Sequence, residues 1–103
     1  MLELPLLLLT LQLGAVEMLA IPPAPLDQVE AGVREEIETR LAAIGAAEES
    51  GLAEAYGGAG QTFLAYNLRA PGRACLENAR RLDPAEFRWV YYLGVLELSL
   101  IHI

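Results

Sequence analysis

The segment "PLDQVEAGVREEIETRLAAIG" carries the tightest constraint in the chain, because Leu26, Val29, Val33, Ile37, Leu41 and Ile44 recur in it at spacings of 3, 4, 4, 4 and 3. That spacing puts the apolar side chains on one face of an α-helix and does not fit the two-residue period of a strand. A helix with one apolar stripe has to bury it against another element, so the rest of the chain must supply a partner surface. Asp27 and Glu30 have the form of a capping box and Gly45 follows the last periodic residue, which together predict a helix over Asp27 to Ile44. Glu30, Arg34, Glu35, Glu36, Glu38 and Arg40 fall mostly off the stripe. They read as a solvated face and imply no pair of catalytic carboxylates.

The segments that follow are also helical in pattern. "AAEESG" reads as a loop, with Ser50 placed to cap a second helix from about Leu52. There Leu52, Tyr56, Ala59, Phe63 and Tyr66 recur at 4, 3, 4 and 3. Gly57, Gly58 and Gly60 interrupt this face, and each costs a helix up to about 1 kcal/mol relative to alanine. The stretch "YGGAGQT" lacks the lysine and the spacing of a phosphate-binding loop and follows no strand pattern. Close approach of a partner helix over a bare backbone is the better reason for Gly60. Asn67 suits a helix end, and Pro71 suits the first turn of a third helix over Pro71 to Leu82. That helix is expected to bury Gly72, Cys75, Leu76, Ala79 and Leu82 and to expose Arg73, Glu77, Arg80 and Arg81, the last two complementing its dipole. Asp83, Pro84 and Glu86 predict the start of a fourth helix, with Asp83 as cap, Pro84 at the first position and Glu86 closing a capping box.

Gly60 and Gly94 lie 34 residues apart, and Pro84 falls 24 after the first of them. This frame resembles the tetratricopeptide repeat, a helix-turn-helix unit whose pattern has an aromatic, a Leu-Gly pair, a second aromatic, small residues and a closing proline. On that resemblance Tyr56 stands at the first aromatic, Ala59 and Gly60 at the pair, and Phe63 at the second aromatic. In the second helix of the unit Gly72 takes the usual alanine's place, Leu76 the aromatic's, Ala79 the small residue's, and Pro84 closes. A second copy starts at Phe87 with Leu93 and Gly94 as its pair. There Trp89 sits one place before the expected aromatic and Glu97 occupies the second aromatic's position, so the match departs at both. The likeness covers about Leu52 to Leu96. It implies an all-α solenoid of antiparallel helix pairs preceded by one amphipathic helix, with residues 52–97 holding one repeat plus the first helix of the next. It also implies binding of a protein or peptide in a concave groove, where Glu54, Gln61, Leu64, Arg88 and Tyr91 would face the partner.

The first twenty residues hold an uncharged run from Leu4 to Val16, close to a secretory h-region in length and short of a membrane span. Ala20 before "IPPAPLD" is a plausible cleavage point, which would leave a mature chain from about Ile21 and a linker, leading helix and loop over 21–51. No Lys or Arg precedes the run and Glu3 has the wrong sign for a signal peptide. A membrane anchor and a buried helix therefore remain the other readings of 1–20, and Pro5 counts against the last. Export is the expected localisation, with the cytoplasm as alternative. All seven cations are arginine, a bias that suggests GC-rich bacterial coding sequence.

Fourteen acidic residues against seven arginines give a net charge of −7, which repels a phosphate backbone and excludes nucleic acid as an expected partner. One cysteine, Cys75, forms no intrachain disulfide and builds no metal site without nearby histidines; "RACLENA" places it as a small buried apolar residue. After Leu96 the repeat pattern and the charge both fade, and "LSLIHI" from about Leu98 reads as a non-native tail, so His102 carries no site. The chain is expected to be a fragment of a longer protein, since about three repeats are needed to close such a core. No nucleophile stands with a base, and no metal or cofactor site is expected. The function expected is a protein-interaction scaffold of an exported bacterial protein. The alternatives are an accessory arm of a larger enzyme whose catalytic domain lies elsewhere, or a small membrane-associated helical protein.

Overall fold

The computed structural model describes residues 17–101, and within them the chain is helical with no strand. Four helices follow in order: α1 (Ala31–Ala46), α2 (Leu52–Ala65), α3 (Arg69–Leu82) and α4 (Phe87–Ile101). Single 3-10 turns at Leu26–Gln28 and Glu49–Gly51 precede α1 and α2. Glu36 of α1 meets Tyr66 just past α2, while Arg40 lies over Gly58, so α1 runs antiparallel to α2. Phe63 pairs with Gly72 next to the connecting turn and Gly60 pairs with Leu76 farther from it, which makes α2 and α3 antiparallel as well. Arg73 near the start of α3 bonds Glu97 near the end of α4. Glu54 and Arg88, both near helix starts, bond each other, so α4 runs parallel to α2. The all-α class expected from the periodicity is therefore what the described residues form.

The apolar stripes close two clusters. Ile37, Ala59, Phe63 and Cys75 form one, packed round by Val33, Leu41 and Ile44 of α1 and by Ile21, Ala24 and Leu26 ahead of it. Leu76, Ala79, Trp89 and Leu93 form the other, and Tyr56 touches both. Helix α2 is thus the central element: one side takes the leading helix, another takes α3, and Gly57 takes the indole of α4. Fully burying side chains of the size of Ile37, Phe63 and Leu76 is worth about 1.5–3 kcal/mol each, which is why the apolar stripe outweighs the poor helix propensity of the α2 glycines.

The helix ends differ from the sequence expectation at several points. α1 begins at Ala31 and not at Asp27, because Leu26 turns inward to the Ile37 cluster and Val29 and Glu30 are extended. Asp27 and Glu30 form no capping box, and neither the turn nor α1 has a side-chain cap bond. Gly45 does not stop α1: the helix runs to Ala46, Ala47 ends it at φ −70° and ψ 140°, and no described glycine has positive φ. Ser50 lies inside the second 3-10 turn, and Gly51 precedes α2 without a side-chain cap.

Asn67 holds its expected place and more. It is the non-glycine residue with positive φ, 61°, among those described. Its N–H donates to the Leu64 carbonyl at 3.0 Å and the Leu68 N–H to the Phe63 carbonyl at 2.8 Å, the paired bonds of a Schellman motif. Leu68 also packs on the Phe63 cluster, supplying the apolar contact that goes with this cap. α3 starts two residues before Pro71, which falls in its first turn where a missing N–H costs nothing. At the next junction Asp83 belongs to α3: its N–H donates to Ala79 O at 2.9 Å, and its own carbonyl accepts the Glu86 N–H at 3.1 Å across a turn holding Pro84. Pro84 therefore precedes α4 and is not its first residue. Glu86, and not Asp83, caps α4, its Oε2 accepting the Arg88 N–H at 3.3 Å. α4 passes through Leu98 to Ile101, while His102 lies outside the described residues.

Candidate functional site

The seam between α2 and α4 is built on glycine. A Cβ on Gly57 would lie 2.0 Å from the Trp89 ring, so the indole occupies the space a side chain would need. Trp89 is 1% exposed, and its Nε1–H has no acceptor among the described residues. Arg88, one residue earlier, stands with its guanidinium carbon 4.5 Å from the indole centroid. Its Nη2 reaches Glu54 Oε2 at 2.8 Å and Glu86 Oε1 at 2.9 Å. These bonds raise the Arg88 pKa further above its ordinary value, the Glu86 bond contributing most, and the same contact lowers that of Glu86. Arg88 is thus held as a permanent cation between two carboxylates.

Beside this bracket is an open depression of about 240 Å³ lined by Arg40, Glu54, Gly58, Gln61, Arg88 and Trp89. Three helices contribute: Arg40 from α1, Glu54, Gly58 and Gln61 from α2, and Arg88 and Trp89 from α4. Gly58 lets Arg40 lie close, since a Cβ there would be 3.3 Å from Nη1. Among the described residues the side chains of Arg40 and Gln61 have no hydrogen-bond partner, and Glu54 is already taken by Arg88. The lining therefore offers unpartnered donors, with its carboxylate occupied, and suits a partner that brings acceptors.

Of the positions expected to face a groove, Glu54, Gln61 and Arg88 meet in this depression. Leu64 and Tyr91 do not line it. Leu64 is half-buried with its backbone nitrogen close to Gly72, while Tyr91 is 54% exposed, its ring tilted against Phe87 and edge-on to Tyr92. Among the positions matched to the repeat pattern, Ala59, Phe63, Gly72, Leu76, Ala79 and Leu93 are buried and Tyr56 bridges the clusters. A Cβ on Gly60 would meet Leu76 Cγ at 2.6 Å, which is the close helix approach expected there. Gly94 differs: it is exposed, nothing lies within 4 Å of a Cβ built on it, and no described contact requires a glycine. Glu97, out of pattern as an aromatic, bonds Arg73 across α3 and α4.

Sequence reasoning missed Gly57, Arg40 and Asn78. Gly57 carried a visible signal as an unexplained glycine, but its partner 32 residues away could not be named without the α2 and α4 register. Arg40 looked like any exposed helix charge. Asn78 is 0% exposed on α3, where the expectation was a face of apolar and small residues. Arg73, Glu77 and Arg80, expected to be exposed, are half-buried, and Arg80 pairs with Glu77 at 2.8 Å. Cys75 is fully buried as expected, and desolvation pushes its thiol up to about 12. Among the described residues no cluster of histidine, cysteine and carboxylates could hold a metal ion, and no helix is long and apolar enough to cross a membrane. The apolar run from Leu4 to Val16 lies outside the described residues.

No family model, no curated protein and no solved structure matches this chain.

Proposed function

We propose that the chain is a helical protein-interaction module of the tetratricopeptide-repeat type, in which a partner peptide is held at the depression between α1, α2 and α4. The observation that carries this reading is that Glu54 and Gln61 of α2 line one recess with Arg88 of α4 and Arg40 of α1. Catalysis has no comparable support, because the recess holds no nucleophile beside a base.

The 34-residue offset gives the repeat reading a second support. On α2 the face of Tyr56, Gly60 and Phe63 lies under α3, with Leu76 seated on Gly60. The same offset brings these positions to Val90, Gly94 and Glu97 on α4, where Val90 is 48% exposed and Gly94 is open. Val90 and Gly94 are thus open among the described residues where Tyr56 and Gly60 are covered, while Glu97 departs by bonding Arg73 of α3.

The test is selection of binders from a random peptide library displayed against the purified chain, repeated with Gln61→Trp, which fills the recess. The proposal predicts enriched sequences that bind the unaltered chain and lose at least about tenfold in affinity with Gln61→Trp, a loss of about 1.4 kcal/mol. Failure to enrich any sequence, or enrichment indifferent to Gln61→Trp and to charge reversal at Arg40, contradicts it. Export of the chain is part of the same proposal and is checked by mass spectrometry of the amino terminus of the protein recovered from its source.

A further inference from the structure

A buried asparagine on α3 holds the backbone of the chain's own amino-terminal segment. Asn78 Oδ1 accepts the Leu19 N–H at 2.7 Å, and Asn78 Nδ2 donates to the Leu19 carbonyl at 2.9 Å. One side-chain amide thus satisfies both backbone groups of one residue, the exchange that a strand residue makes with its partner in an antiparallel ladder. One turn farther along α3, Arg81 Nη1 donates to the Glu17 carbonyl at 3.0 Å. Every one of these bonds is to main chain. The side chains of Glu17, Leu19 and Ala20 are exposed, that of Met18 is half-buried, and Ile21 joins the Ile37 cluster. What Asn78 and Arg81 bond is therefore main chain, which a peptide without proline at the central position can present.

We infer that Asn78 and Arg81 form a receptor for an extended peptide, filled in this structure by residues 17–19 of the same chain and open to a partner strand when that segment is displaced. The buried amide favours an occupied site, since an orphaned donor and acceptor with no exposure are costly to leave unpaired. Of residues 17–19 only Met18 has a half-buried side chain, and "IPPAP" behind them is stiff and anchored by Ile21 and Ala24, so the cis segment is tethered at the site. This site is apart from the α1, α2 and α4 recess; cleavage after Ala20, which the export reading entails, would remove residues 17–19 and leave it open.

The experiment uses the full chain, isotope-labelled, with a capped synthetic peptide of residues 17–25 as probe. Leu19→Pro removes the N–H that Asn78 accepts and frees the site. The variant is expected to bind the peptide at least about tenfold more tightly than the unaltered chain, read from the backbone amide resonances of α3 around residues 77–82. Asn78→Leu in that background should abolish binding, and a probe carrying proline at the position of Leu19 should not bind. Equal or absent binding by a Leu19→Pro chain that keeps its helical circular dichroism overturns the inference. A second reading needs no variant: millimolar peptide should accelerate solvent exchange of the Leu19 amide in the unaltered chain, and an unchanged rate overturns it too.

Discussion

Gly57 and Gly94 sit in neighbouring helices with opposite surroundings, and the same substitution should act on them with opposite sign. Gly57→Ala drives a methyl into the Trp89 ring, and overpacking of this kind costs about 1–3 kcal/mol, more than the helix propensity gained. Gly94→Ala meets nothing and gains the propensity difference alone, about 1 kcal/mol of stabilisation. Urea unfolding followed by the fluorescence of Trp89, the single tryptophan, measures both. Cys75 gives a prediction in pH. Burial pushes its thiol from an ordinary 9.0 up to about 12, so the unfolded chain releases its proton first as pH rises. The contribution of Cys75 is fully present below pH 9 and is lost as pH climbs towards 12; Cys75→Ala should flatten that part of the stability profile. Disulfide reagents at pH 8 should react with Cys75 only as the chain unfolds. Its burial was legible from its small, helix-interior neighbours, whereas the partner of Gly57 was not, since a close contact between helices depends on register and leaves no trace in either segment alone.

At the level of the elements, the apolar periods were readable and the ends were not. The spacing from Val33 to Ile44 and from Tyr56 to Phe63 is set by burial, and burial wins over local preference, so α1 and α2 follow it. Ends are decided by smaller energies in competition. Asp27 and Asp83 each had cap chemistry, but Leu26 is drawn into the core and Asp83 is bonded back to Ala79, so the helices start at Ala31 and Phe87. Asn67 was readable because few residues other than glycine accept φ of 61°. Asn67→Ala should cost about 1 kcal/mol or more by chemical denaturation, and Asn67→Gly should be close to neutral. The Glu54, Arg88 and Glu86 bracket spans two helices but is solvated. Arg88→Ala should therefore change stability little while weakening any partner held at the recess.

For the whole molecule, the four helices place α2 at the centre and leave α4 with an outer face of Phe87, Val90, Tyr91 and Leu98, all exposed. Residues of the recess come from three helices, which is why only those on the repeat frame were identifiable beforehand: Glu54, Gln61 and Arg88 share the 34-residue frame, while Arg40 comes from the leading helix outside it. The measurement that tests the central claim most directly is an amide shift map of the labelled chain with a library-selected peptide. The account predicts the largest changes at Gly58, Gln61 and Arg88, with Arg40 responding from α1. Changes confined to Phe87, Val90 and Tyr91 on the outer face of α4, or spread evenly with no centre at the recess, would contradict it.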